Sequence, residues 1–185
     1  MSIRILGISG SFRRQSFNRM ALLAAAELMP DGMTLEIADY QDVPLYNQDV
    51  QEASGFPEPV LRLAGAIAAA DGVLFASPDY NHSIAGVLKN AIDWVSRVEP
   101  QPFVGKPVAM VSATIGPVGG ARNQYELRKV VASVEGLCLV KPEVFIGRAD
   151  TRFDAQGRLV DEAARRILGV QMRAFGAWIE RLRPR

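Results

Sequence analysis

Short apolar runs alternate along this chain with segments whose apolar residues recur every three or four positions. That change of period constrains the fold more than any other feature. Ile3 to Ile8, interrupted only at Arg4 and ended by Ser9-Gly10, reads as a buried strand. Ala21, Ala24, Ala25 and Leu28 then fall at helical spacing, and Pro30-Asp31-Gly32 stops that helix. Leu35 to Ala38 reads as a second strand, followed at 40–55 by a stretch rich in Asp, Gln and Asn that reads as a long loop. Val60, Leu63, Ala64 and Ile67 mark a second helix and Val73 to Ser77 a third strand. Leu88, Ala91, Ile92 and Val95 mark a third helix, and Val108 to Ser112 a fourth strand. A fourth helix follows on Leu127, Val130, Val131 and Val134, then a fifth strand from Leu139 to Phe145 interrupted by Lys141-Pro142. Leu168, Met172, Phe175, Ile179 and Leu182 give a last amphipathic helix. Five strands alternating with five helices predict a parallel sheet covered on both faces. The chain has 185 residues, with no repeat, low-complexity stretch or linker, so one domain is expected over 1–185.

Composition narrows the partners. Hydrophobic residues make up 49% of the chain and the formal net charge is +1, which gives no bulk attraction to nucleic acid. Basic residues gather only at Arg181, Arg183 and Arg185, read as a solvated helix terminus. Cys138, the one cysteine, lies in the apolar run Leu137 to Val140 and reads as a buried structural thiol. The lone histidine, His82, rules out HExxH and other multi-histidine metal sites, and no metal is expected. The start of the chain lacks the basic and apolar regions of a signal peptide, and no apolar run reaches the roughly 18 residues of a membrane span. A cytoplasmic protein with no membrane partner is the expectation.

Ligands of open α/β sheets bind beyond the C-terminal ends of the strands, where strand order reverses. In the order 2-1-3-4-5, the loops after strands one and three flank that point, and these are the two most unusual loops here. The first, Gly10-Ser11-Phe12-Arg13-Arg14-Gln15-Ser16-Phe17-Asn18, runs from a strand into a helix. A helix N-terminus offers free N–H groups and partial positive charge to a phosphate. Ser11, Ser16 and Asn18 can add hydrogen bonds, and Arg13 or Arg14 a charge-assisted one. Ser16 or Asn18 is also a good N-cap in its own right. The loop has neither a Gly-Lys-Ser/Thr ending nor G-x-G-x-x-G, and there is no G-x-S-x-G elbow. The second loop, Pro78 to Gly86, is bent and stiffened at its ends, and Tyr80 can lie against a flat ring; Trp94, on the following helix, reads as core. The third, Ser112 to Gly120, carries glycines that allow close backbone approach to a ligand.

These segments resemble the NADPH-dependent FMN reductase family, in particular its quinone and chromate reductase branch. The likeness spans nearly the whole chain: GSFRRQSFN resembles the family's phosphate loop, PDYNHSIAGVLKNAIDW its flavin-ring loop, and the match continues into SATIGPVGGARNQYELR and KPEVFIG. The resemblance implies a flavodoxin-like three-layer sandwich with sheet order 2-1-3-4-5 and one noncovalent FMN per subunit. It implies that Ser11, Arg13, Ser16, Phe17 and Asn18 hold the phosphate end. Pro78, Asp79, Tyr80 and Asn81 would hold the ring, with Ser112 and Gly116 across from them. Asp79 stands where the family more usually has glutamate, and His82 where it often has tyrosine. Arg122, Tyr125 and Glu143 match positions of inter-subunit hydrogen bonding in that branch, so a homodimer or homotetramer is implied.

The resemblance further implies ping-pong transfer from NAD(P)H as co-substrate to a small acceptor: a quinone, chromate, an azo or nitro compound, or free flavin. The flavin carries such chemistry, and no protein nucleophile or dedicated acid is evident. Two other readings remain open, a flavodoxin-like electron carrier and a non-catalytic flavin-binding sensor. The near-neutral charge differs from that of long-chain acidic carriers.

Overall fold

A computed structural model describes residues 2–183. Strand β1 (Ile3–Ser9) leads into helix α1 (Phe17–Glu27), then β2 (Met33–Ile37), α2 (Gln48–Ser54), α3 (Glu58–Ala69), β3 (Gly72–Ala76), α4 (Gly86–Val95) and β4 (Pro107–Ala113). Helix α5 (Ala121–Ser133), β5 (Leu137–Cys138), β6 (Val144–Ile146), α6 (Ala149–Arg152) and α7 (Glu162–Leu182) complete the described chain. All strand pairs are parallel, in the expected order β2-β1-β3-β4-β5, with β6 pairing β4.

Period-two alternation sorts the strand side chains into two cores. Ile5, Leu74, Ala109 and Val111 face α1 and α7 on one side. Leu6, Phe75, Val108 and Met110 face α3, α4 and α5 on the other, where Trp94 is fully buried and its indole N–H donates to Pro44 O at 2.9 Å. Both faces are therefore apolar, as parallel sheets under crossover helices require.

Three sequence expectations need correction. The stretch 40–55 is not all loop: Asn47 caps α2 by accepting from the Asp49 N–H at 2.9 Å, and the helix buries no residue, so no apolar period announces it. The fifth strand does not run from Leu139 to Phe145. It is two short pieces, Leu137–Cys138 against Pro107–Val108 and Val144–Ile146 against Val111–Ala113. Proline has no N–H for the ladder, and the chain around Pro142 leaves it. The Gln171 amide from α7 fills the gap, donating to Met110 O and Pro142 O, both at 2.9 Å. Finally, the C-terminal arginines are not merely solvated: Arg183 pairs with Glu180 at 2.8 Å and reaches Asp71 at 3.7 Å, while Arg185 lies outside the described residues. The expected burial of Cys138 is only partial, and that burial pushes its thiol above the usual range.

Candidate active site

The first loop ends in a helix cap. Ser16 is buried and its Oγ accepts from the Arg19 N–H at 3.3 Å, so Ser16 rather than Asn18 is the N-cap. Among the described residues, the amide N–H groups of Arg14, Gln15, Phe17 and Asn18 donate to nothing in the chain. Buried Ser11 stands beside them, its Oγ accepting from the Arg13 N–H at 3.5 Å, while Arg13 and Arg14 are exposed. Free N–H groups at a helix start, hydroxyls and unopposed guanidinium groups are the donor set a phosphate dianion needs. The residues present therefore fit the phosphate end of FMN.

Not every residue of this loop presents its side chain to that position. Phe17 packs on Phe153 at 5.6 Å within the core, so only its backbone N–H faces the loop. Asn18 is buried and bonds the Ala113 backbone in both directions: Nδ2 donates to Ala113 O at 2.9 Å, and the Ala113 N–H donates to Oδ1 at 3.0 Å. That side chain fastens α1 to the C-terminal end of β4.

The second loop leaves β3 through buried Ser77 and Pro78. Tyr80 and Ser83 then exchange backbone hydrogen bonds of 3.3 and 3.1 Å across a two-residue turn. Its central residues, Asn81 and His82, have φ of 54° and 64°, the left-handed pair that defines a type I′ turn. The turn projects Tyr80, 47% exposed, with half-buried Asp79 behind it. The third loop turns on Gly119 and Gly120, both at positive φ, and a Cβ at Gly120 would lie 2.7 Å from that of Ser112. Ser112 itself is fully buried; its Oγ donates to Gly119 O at 2.5 Å and accepts from Gln124 Nε2 at 2.8 Å. Gly116 closes the same loop by accepting from the Gly119 and Arg148 N–H groups at 3.4 and 3.2 Å.

The three loops are laced together at their roots. Gly10 abuts Ser77 so closely that a Cβ there would sit 2.8 Å from Ser77 Oγ. Ser77 Oγ donates to Asn123 Oδ1, and Asn123 Nδ2 returns a bond to Ser77 O, both at 3.0 Å. Behind the first loop, the Tyr40 hydroxyl donates to Ser9 O at 2.5 Å, and burial pushes that phenol well above its ordinary pKa. Sequence reading missed Ser77, Asn123, Gln124 and Tyr40. The signal was present on α5, where Asn123 and Gln124 continue the buried stripe of Leu127 and Val131. Polar residues on a buried face must find partners, and these find the strand ends.

The inter-subunit candidates stand on one flank. Arg122 and Tyr125 are exposed, whereas Glu143 is paired within its own chain, to Lys141 at 2.5 Å and Arg128 at 3.7 Å. No helix of the described chain is long and apolar enough to cross a membrane, and the described residues hold no cluster of three or more metal-binding side chains.

The model of the NADPH-dependent FMN reductase family matches residues 3–151. The chain is 52% identical over 181 residues to an NAD(P)H-dependent FMN reductase of Pseudomonas aeruginosa, covering 98% of this chain and 97% of that one. It is 39% identical over 183 residues to a quinone reductase of Escherichia coli, covering 98% and 97% of the two chains. Among solved structures, the flavoenzyme NAD(P)H:(acceptor) oxidoreductase of Paracoccus denitrificans superposes with a TM-score of 0.87 at 32% identity, covering 97% of this chain and 98% of that one. With that fold, these loops and this likeness along nearly its whole length, the chain belongs to the NADPH-dependent FMN reductase family and is an NAD(P)H-dependent flavin oxidoreductase of flavodoxin-like fold.

Proposed function

We propose that this enzyme passes electrons from NAD(P)H to quinones, with azo and nitro compounds, chromate and free flavin as further acceptors of the same open site. The observation that carries the reading is the donor set at the start of α1: four unspent amides beside Ser11 and Arg13. The quinone class is supported by the 39% identity to a quinone reductase. When bound, FMN supplies hydride acceptance and two-electron donation.

The chain's own residues bind and orient. Ser11, Ser16 and Arg13, with the amides of Phe17 and Asn18, hold the phosphate. Pro78, Asp79, Tyr80 and Asn81 form one wall for the ring, with the backbone at Gly116 opposite. Ser112 and Asn18 keep that wall in place from behind. Donor and acceptor take turns over one exposed face, because a single set of loops meets there. The test is anaerobic mixing of FMN-loaded protein with NAD(P)H and then benzoquinone. The yellow absorbance should bleach and return, and double-reciprocal plots for the two substrates should run parallel. Failure to bleach would overturn the assignment of these loops to FMN and its donor. Intersecting plots would mean that donor and acceptor bind together.

A further inference from the structure

Three arginines, Arg13, Arg14 and Arg19, surround a cleft of about 400 Å³ between the first loop and residues 37–41. None of the three is in an ion pair among the described residues. One phosphate of FMN does not need them all. The cleft shares Ser11 and Arg13 with the phosphate contacts assigned above but extends from them onto the β2 flank of the loop, and no residue of the second or third loop lines it. Its one carboxylate, Asp39, is turned to Gln41, accepting from its backbone N–H at 3.4 Å and its side-chain amide at 3.5 Å.

The cleft is not isolated from the ring loop. Phe12 and Tyr40 line it and also line a hollow of about 110 Å³ that reaches Gly86 and Val87 at the start of α4, directly after the second loop. Phe12 is 38% exposed, held edge-on to Tyr40 at 4.9 Å, and so offers an aromatic face along the way. A volume of a few hundred Å³ suits a nucleoside. In dinucleotide-binding α/β proteins, a carboxylate near the end of the second strand takes the ribose hydroxyls, and a neighbouring arginine accommodates a 2′-phosphate instead.

We propose that this cleft receives the adenosine half of the nucleotide donor, with Arg19 and Arg14 pairing the 2′-phosphate, so that the enzyme prefers NADPH to NADH. The donor then runs from the arginines past Phe12 and Tyr40 to the ring loop. The inference rests on the reading of the chain as an FMN-dependent reductase, but its binding arm does not depend on turnover.

Arg19 is the residue to change, because it is exposed and stands outside the phosphate contacts assigned above. FMN-loaded protein is titrated calorimetrically with 2′,5′-ADP, 5′-AMP and inorganic phosphate. The native chain should bind 2′,5′-ADP about tenfold or more tightly than 5′-AMP, the size of one charge-assisted hydrogen bond, and phosphate far more weakly. Arg19→Ala should abolish the difference, and Arg19→Lys should restore part of it. In turnover, the ratio of kcat/KM for NADPH over NADH should fall about tenfold in Arg19→Ala, with FMN content unchanged. Equal binding of the two nucleotides by the native chain, or an unchanged ratio in the variant, overturns the proposal. So does loss of FMN from Arg19→Ala, which would assign this arginine to the cofactor's phosphate. Absence of any NAD(P)H oxidation alongside discriminating 2′,5′-ADP binding would count against the proposed reaction and not against this site.

Discussion

Arg13 and Asn18 are five positions apart in one segment, yet they do different things. Arg13 is exposed and free to pair with a ligand, whereas both ends of the Asn18 amide are engaged by Ala113. Arg13→Ala should therefore weaken FMN binding by about 1.5–3 kcal/mol, the range for a hydrogen bond to a charged group, and riboflavin binding much less. Fluorescence titration with the two flavins measures both, and equal losses would show that Arg13 does not contact the phosphate. Tyr40 is a test of pH dependence. Its buried phenol has a folded pKa above the ordinary 10.0, so the folded state favours the neutral form. The stability this provides is complete below pH 10.0 and is lost as pH rises through the folded value, because the unfolded phenol ionises first. Tyr40→Phe should cost about 1 kcal/mol near neutrality for the lost bond to Ser9, and should decline less steeply than the native chain in alkali. Urea midpoints across that range decide it; parallel declines would remove Tyr40 from the alkaline transition.

Among the elements, those with a periodic apolar face were legible, because burial writes itself into the sequence. The first four strands and the helices on Leu22, Leu63, Leu88, Leu127 and Phe175 are of this kind. Helix α2 buries nothing and was invisible. Leu139 and Val140 are apolar although neither belongs to a strand, so the sequence pattern runs the short β5 and β6 together. In the site, the loops carrying the phosphate and ring contacts were legible from their density of polar and turn residues. Ser77 and Asn123 were not, since each gains its role only from a partner 46 positions away. Gln171 is the same kind of residue at the interrupted strand. Gln171→Leu would leave Met110 O and Pro142 O without their donor, at a cost of about 1–3 kcal/mol for each buried group. Chemical unfolding should report that loss while FMN affinity holds; an unchanged midpoint would mean that water replaces the amide.

At the scale of the whole molecule, the flank of α5 and β5 is where a second copy is expected. Tyr125, Leu137 and Val140 are exposed there, around a hollow of about 540 Å³ that Trp178 and Glu143 also line. We propose a homodimer or homotetramer with Arg122 and Tyr125 at a subunit boundary, and light scattering at micromolar concentration should give a mass of two or four chains. A single-chain mass would refute it. The sheet edges bear on how such copies can meet. On one side the edge is two residues and then three, broken by Pro142; on the other, β2 is five residues long with exposed Thr34 and Glu36. Short, interrupted and polar borders give a foreign strand little to pair with. Copies of this chain are thus steered away from adding strand to strand, a route that has no natural end.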